Sequence, residues 1–130
     1  MMTTPRPLGI TLGDPAGVGP ELIEVALAEV PDIPVRLYGP APLVTAMASR
    51  DARVQPVKTT ANLDGVLRGR YTAASGAASV AALARAAADL VSGEIAALVT
   101  GPISKSALWE AGLPHPGQTE FVAAAFGAPR

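Results

Sequence analysis

The segment at residues 95–119 has the sequence IAALVTGPISKSALWEAGLPHPGQT and indicates the fold more strongly than any other part of the chain. Its first six residues are uncharged and typical of a buried strand, which ends at Gly101-Pro102. Ser104 and Lys105 follow directly, and open α/β sheets display their chemistry at this carboxyl edge. Lys105 offers a compact charge suited to phosphate or carboxylate, and Ser104 suits a helix N-cap. Gly-Pro is also ordinary in loops, so a purely structural interpretation stays open.

A second pattern lies near the start of the chain. Residues 8–12 are short and apolar, as expected of a strand, and lead into GDPAGVGPE at residues 13–21. Apolar residues then recur at helical spacing, which predicts a strand, a glycine-rich loop and a helix. The loop matches neither the phosphate-loop pattern nor the dinucleotide pattern, because Leu22 stands where the latter needs its third glycine. Asp14 is therefore either a ligand contact or a local turn former.

The rest of the chain alternates between strand-like and helix-like segments. Strands are predicted at residues 35–38 and 53–57, a polar loop at 58–70, and helices at 42–50, 75–91 and 119–126. Such alternation predicts an α/β fold with a doubly wound, mostly parallel sheet and helices on both faces. We expect residues 1–130 to form a single α/β domain or the N-terminal part of a longer two-domain enzyme.

Composition limits the classes of partner. The 130 residues are 49% hydrophobic and carry a net charge of −1, so nothing favours attraction to nucleic acid. The chain has no cysteine, which fits a cytoplasmic protein and excludes disulfides and thiolate metal ligands. We see neither a run of about eighteen apolar residues nor a basic-then-apolar leader, so we expect no membrane span and no signal peptide.

Three short sequences occur in order along nearly the whole chain: GDPAGVGPE at residues 13–21, LVTGPISK at residues 98–105, and Gly-x-Thr-Glu-Phe at residues 117–121. Together they resemble the 4-hydroxythreonine-4-phosphate dehydrogenase family. The resemblance implies a fold like that of isocitrate and isopropylmalate dehydrogenases. It implies NAD-dependent oxidation of 4-phosphohydroxy-L-threonine in pyridoxal phosphate biosynthesis, assisted by a divalent metal (Zn, Mg or Co). It also implies a homodimer.

The resemblance also implies site residues. Gln118 and Thr119 occupy the family's substrate-contacting positions, although the family has His where this chain has Gln118. A glutamine forms hydrogen bonds but cannot titrate near neutrality. Lys105 and Asp14 are further candidates for substrate binding, from their places at strand ends. The family's metal-binding histidines and NAD-binding residues lie downstream of the region covered, so we expect no cofactor or metal ligands here and an incomplete fold.

Other interpretations remain open. His115, between two prolines, is more simply a surface-loop residue than a substitute catalytic group. A protein zinc site is disfavoured by one histidine and no cysteine. The chain could be a non-catalytic remnant or partner subunit, an interpretation that Gln118 favours. It could also belong to a related phosphate-ligand enzyme, such as a sugar-acid phosphate dehydrogenase or an acyl–phosphate transferase.

Overall fold

The structure is a computed structural model that describes residues 5–30, 32–103, 118–125 and 127. The elements in chain order are β1 (Leu8–Thr11), α1 (Gly19–Glu29), β2 (Val35–Pro40), α2 (Ala41–Arg50), β3 (Val54–Thr60), α3 (Ala73–Ser92), β4 (Ala97–Thr100) and α4 (Gln118–Ala125). Ser104, the N-cap candidate, lies outside the described residues.

The four strands form one sheet in the order β3-β2-β1-β4. Every pairing is parallel, with Ile10 opposite Leu37 on one side and opposite Val99 on the other. The chain steps from β1 to β2 to β3 in one direction, then returns to place β4 on the far side of β1. This reversal makes the gap between β1 and β4 the topological switch point of the sheet. The predicted parallel sheet is confirmed.

Helices cover both faces of the sheet, also as predicted. Successive residues of a strand point to opposite faces, so Leu37 and Tyr38 in β2 enter different cores. Leu37 is fully buried in a cluster with Ile23 of α1 and Val44 of α2. Tyr38, equally buried, packs against alanines of α3, including Ala82. Each fully buried Leu, Val or Ile contributes roughly 1.5–3 kcal/mol, so these two cores hold the three layers together.

The helix α3 has clear start and stop signals. Thr72 accepts a hydrogen bond from the Ser75 amide at 3.1 Å, and the Ser75 hydroxyl oxygen accepts one from the Thr72 amide at 2.9 Å, which forms a capping box. Gly93 ends the helix with a φ of 83°. The prediction that Ser75 opens this helix is wrong by two residues, because Ser75 is the reciprocal partner of the cap.

Among the predicted strands, β3 and β4 differ most from the structure. β3 continues to Thr60, into the predicted polar loop, because Thr60 pairs with Pro40 of β2. Pro56 is tolerated there because β3 is an edge strand in the described sheet. The segment before Gly101 was expected to be a buried strand, but β4 lies at the opposite edge of that sheet and Val99 is 50% exposed.

By length and composition alone, one described helix is able to cross a membrane, although no membrane span was expected from the sequence. α3 is a 20-residue helix that is apolar enough to cross a membrane, and 50% of its apolar stretch is buried inside the fold. Its buried residues, such as Leu83 and Ala86, lie on the side of α3 that packs against the sheet. Core helices of soluble proteins have the same length and apolar composition, so α3 is only weak evidence for a membrane span.

A charged network lies under α3. The Tyr38 hydroxyl donates to Asp89 Oδ2 at 2.7 Å, Arg36 Nη1 lies 3.3 Å from the same oxygen, and Arg85 Nε lies 3.4 Å from Oδ1. Burial acts to raise the pKa of Asp89, but the Tyr38 hydrogen bond and the two arginines outweigh it and hold that pKa below its ordinary value. Burial and the Asp89 carboxylate raise the pKa of the Tyr38 hydroxyl.

The lowered pKa of Asp89 predicts a loss of stability in acid. A depressed carboxyl pKa stabilises the fold above the unfolded value of about 3.9, and this contribution disappears as the pH falls through that value toward the folded one. We expect the free energy of unfolding of the wild type to fall more steeply between about pH 5 and pH 3 than that of Asp89→Asn. Urea unfolding across this range measures it, and parallel pH profiles of the two proteins would contradict the prediction.

Candidate functional site

The candidate site lies where β1 and β4 end side by side. The glycine-rich loop at residues 13–18 follows β1, and Gly101-Pro102 follows β4. In open α/β sheets, ligands bind in the crevice outside the carboxyl ends of the strands at the switch point. The two sequence patterns that carried the prediction therefore meet at the position where this class of fold binds ligands.

Backbone hydrogen bonds join the two patterns directly. The Gly101 amide donates to the carbonyl oxygen of Thr11 at 2.9 Å and to its Oγ1 at 3.1 Å. The Asp14 amide donates to the carbonyl oxygen of Pro102 at 2.9 Å. Thr11 is fully buried. The ends of β1 and β4 are thereby fixed to each other by buried or partly buried groups.

Glycines permit this close contact. Gly13 has a φ of 75°, and a Cβ added there would lie 2.7 Å from the Gly101 carbonyl carbon and would collide with the Pro102 carbonyl oxygen. A Cβ on Gly101 would lie 2.6 Å from the Leu12 carbonyl oxygen. A Cβ added at Gly17, by contrast, would lie 3.5 Å from its nearest neighbouring atom. Gly13 and Gly101 are therefore needed for packing between the two loops, and this packing accounts for them without a ligand.

Asp14 forms the local turn that was one of its two predicted roles. Its Oδ1 accepts a hydrogen bond from the Ala16 amide at 2.8 Å, and its carbonyl oxygen accepts one from the Gly17 amide at 3.0 Å. Asp14 is only partly buried, at the rim of the loop. Contact between Asp14 and a substrate stays a prediction.

The loop after β3 also reaches the glycine-rich loop, a contact that sequence reasoning missed. The Gly69 amide donates to the Ala16 carbonyl oxygen at 2.8 Å. Arg68 forms an exposed ion pair with Glu21 in the first turn of α1. The only sequence signal was the polar, aperiodic character of residues 58–70, which predicts a loop but not its partner.

Gln118 brings the third sequence pattern to the same place. Its Nε2 donates to the Gly101 carbonyl oxygen at 3.1 Å, so Gly101 contacts both Thr11 and Gln118. The other end of the carboxamide, Oε1, is buried and has no hydrogen-bond partner among the described residues. Thr119 is described only as a residue of α4. Lys105, Ser104 and His115 lie outside the described residues, and their roles stay predictions.

A groove opens beside Gln118, between β4, α3 and α4. Its volume is 480 Å³. Its walls are mainly apolar, and the polar residues among those that line it are Thr100 at the end of β4 and Gln118 at the start of α4. The lining residues are Leu90, Ala97, Leu98, Thr100, Gln118, Val122 and Ala123. Groove volumes of a few hundred Å³ with few, localised polar groups are typical of small-ligand sites.

The described residues were compared with the side-chain groups that hold metal ions and with the loop patterns that bind nucleotides. Within these residues there is no group of three or more His, Cys, Asp or Glu that could hold a metal ion. The sequence of the glycine-rich loop differs from both common nucleotide patterns. Gly13 in this loop and Gly19, the first residue of α1, lie close to Pro102 and Leu12. We therefore assign no chemical step involving a metal or NAD to the described residues.

The fold and the site together define the class of protein to which this chain belongs. A parallel sheet with helices on both faces, and loops meeting at the β1–β4 switch point, belongs to the doubly wound α/β proteins that bind ligands at the strand ends. Within that class, the family described as pyridoxal phosphate biosynthetic protein PdxA matches residues 20–130. The chain belongs to this family.

Individual relatives agree with the family match. A 4-hydroxythreonine-4-phosphate dehydrogenase from Thermosynechococcus vestitus is 38% identical over 128 residues, which cover 89% of this chain and 38% of the relative. The solved structure of a 4-hydroxythreonine-4-phosphate dehydrogenase from Burkholderia phymatum has a TM-score of 0.81 at 26% identity, covering 98% of this chain and 46% of that one. That of a terephthalate 1,2-cis-dihydrodiol dehydrogenase from Burkholderia xenovorans LB400 has a TM-score of 0.74 at 27% identity, covering 95% and 41%. The chain thus spans less than half the length of these relatives.

Proposed function

We propose that this chain supplies the substrate-binding edge of an NAD-dependent dehydrogenase that oxidises 4-phosphohydroxy-L-threonine in pyridoxal phosphate biosynthesis. The observation that carries the proposal is the meeting of three sequence patterns at one switch point, through the bonds of Asp14 with Pro102 and of Gln118 with Gly101. Membership of the PdxA family supports the reaction. The chain is then the first part of a longer two-domain enzyme.

Each candidate residue has a distinct role in this proposal. Lys105, which follows Gly101-Pro102 in the sequence, neutralises a phosphate or carboxylate of the substrate. Gln118 and Thr119 at the start of α4 contact the substrate, and Asp14 contacts it from the glycine-rich loop. Gln118 stays neutral, so it orients the substrate and does not carry a proton. NAD and a divalent metal act in the whole enzyme, a cytoplasmic homodimer in this proposal.

A binding experiment on the chain alone tests the division of roles. We expect isothermal titration calorimetry to show saturable binding of 4-phosphohydroxy-L-threonine, with Lys105→Ala weakening it about tenfold or more, because a hydrogen bond to a charged group contributes roughly 1.5–3 kcal/mol. We expect no NADH formation from NAD by the same chain with added Zn, Mg or Co, because catalysis needs cofactor, metal and substrate positioned together.

The outcomes separate the parts of this proposal. Absence of binding would contradict a substrate-binding edge. Metal-dependent NADH formation by the chain alone would contradict the assignment of catalysis to a longer protein. Glu94→Ala is a suitable control variant, since Glu94 is exposed and precedes β4 on the amino side of the sheet. It should bind the substrate as the wild type does.

A second candidate is oxidation of a diol without phosphate. It is favoured by the similarity to the Burkholderia xenovorans protein, which is named for a cis-dihydrodiol. Competition separates the two candidates. A phosphorylated substrate is displaced by inorganic phosphate, whereas a cis-dihydrodiol bound through its hydroxyls alone is not.

A further inference from the structure

The Gln118 carboxamide is held at one end only. Its Nε2 donates to the Gly101 carbonyl oxygen at 3.1 Å. A carbonyl oxygen is purely an acceptor, so only the NH₂ end of the carboxamide can form this bond, and the opposite orientation would set two oxygens against each other. The direction in which Gln118 presents its two polar atoms is therefore fixed by Gly101.

Gly101 is itself fixed from the centre of the sheet. Its amide donates to both the carbonyl oxygen and Oγ1 of Thr11, at 2.9 and 3.1 Å, and Thr11 is fully buried in the strand β1. A Cβ on Gly101 would collide with the backbone of Thr11 and Leu12, so the close approach that these bonds need requires glycine at this position. Thr11, Gly101 and Gln118 thus form one connected series from β1 through the end of β4 to α4.

The remaining polar atom of the carboxamide, Oε1, is buried without a hydrogen-bond partner in the described part of the chain. Burying an unsatisfied acceptor is costly, and native proteins rarely keep one without a water, an ion or a ligand to complete it. Unlike a hydroxyl, an amide oxygen cannot rotate to become a donor. Gln118 also lines the 480 Å³ groove beside β4, which gives a small molecule room next to it.

We propose that Gln118 determines specificity through its buried acceptor Oε1, which selects a hydrogen-bond donor of the substrate, a hydroxyl or an ammonium group, rather than a phosphate dianion. A phosphate dianion has acceptors only and cannot satisfy Oε1. Thr11 acts as a positioning residue through Gly101. This inference rests on the proposed function, because the donor groups are those of a phosphorylated hydroxy amino acid.

Calorimetry with three ligands tests the inference on the 130-residue chain. The ligands are 4-phosphohydroxy-L-threonine, O-phospho-L-homoserine, which lacks the hydroxyl, and 3-hydroxy-4-phosphobutanoate, which lacks the ammonium. We expect the wild type to bind the complete ligand more tightly than one of these analogues. The ratio of the two dissociation constants should be about fivefold to tenfold larger in the wild type than in Gln118→Met, since a neutral hydrogen bond has a net effect of this size. Ala124→Met, at an exposed position of α4, is the matched control and should keep the wild-type preference.

The results distinguish this inference from the function on which it rests. If the hydroxyl or the ammonium preference alone disappears in Gln118→Met, that group is the donor. Equal preferences in the wild type and in Gln118→Met would overturn the acceptor role while leaving the proposed function intact. If none of the three ligands binds the wild type, the proposed function itself is overturned and this inference with it.

Two further measurements examine the orientation itself. In NMR spectra of the wild type, ligand binding should move the Gln118 side-chain carbonyl carbon resonance while one Nε2 proton keeps its slow exchange with water. Loss of that slow exchange on binding would show that Nε2 leaves Gly101, and would overturn the proposal. Thr11→Val should reduce the ligand preference while Thr11→Ser keeps it. Full preference in Thr11→Val would overturn the positioning role of Thr11.

Discussion

Replacing Gly13 with alanine is expected to lower the free energy of unfolding by about 4 kcal/mol. One part of this loss comes from the backbone, because Gly13 has a φ of 75° and an L-residue in that region costs roughly 1–2 kcal/mol. The other part comes from packing, since the new Cβ meets backbone atoms of Gly101 and Pro102 that cannot rotate away. Overpacking of this kind costs about 1–3 kcal/mol. Urea unfolding followed by circular dichroism measures the sum.

Gly69→Ala separates the two parts. Gly69 has nearly the same φ, 76°, but nothing lies within 4 Å of an added Cβ. Its replacement should therefore lower the free energy of unfolding only by the cost of the backbone conformation, roughly 1–2 kcal/mol. If Gly13→Ala and Gly69→Ala destabilise the chain equally, the contact between the β1 and β4 loops contributes nothing, and the geometry proposed for the site would be wrong.

Asp89→Ala is expected to cost about 3 kcal/mol of unfolding free energy, the second largest effect. The Asp89 side chain is 11% exposed and holds the Tyr38 hydroxyl and the Arg36 guanidinium between α3 and the sheet. Removing it leaves a partly buried arginine and a buried hydroxyl without their carboxylate, and breaking a buried pair from one side costs roughly 3–5 kcal/mol. We take the lower end because Arg36 retains an ion pair with Glu94 at 3.9 Å.

The matched control for this prediction is an exposed ion pair. Glu24 contacts Arg50, and both side chains are at least half exposed. Glu24→Ala should change the free energy of unfolding by less than about 1 kcal/mol, as exposed pairs usually do. A loss in Asp89→Ala no larger than that in Glu24→Ala would show that the network under α3 contributes little to stability.

Local features of the sequence predicted most of the elements. The capped, alanine-rich helix α3 and its terminal Gly93 depend on residues close together in sequence, so their positions could be read within two residues. The strand β3 was cut short because Thr59 and Thr60 look like loop residues until Thr60 pairs with β2. The edge position that β4 has in the described sheet was also missed, because an uncharged strand has the same appearance whether one or both of its neighbours are present.

By itself, the sequence determined the fold class, the family resemblance and the residues that carry the three patterns. Alternating apolar periodicity and glycine-containing loops are local properties, and they need no knowledge of which strands are neighbours. Only the tertiary structure decided that Gly101 joins Thr11 to Gln118 and that the Gln118 oxygen is left without a partner in the described residues. Those contacts depend on β4 pairing with β1, and strand order is set by packing of distant segments that hydrophobic periodicity does not encode.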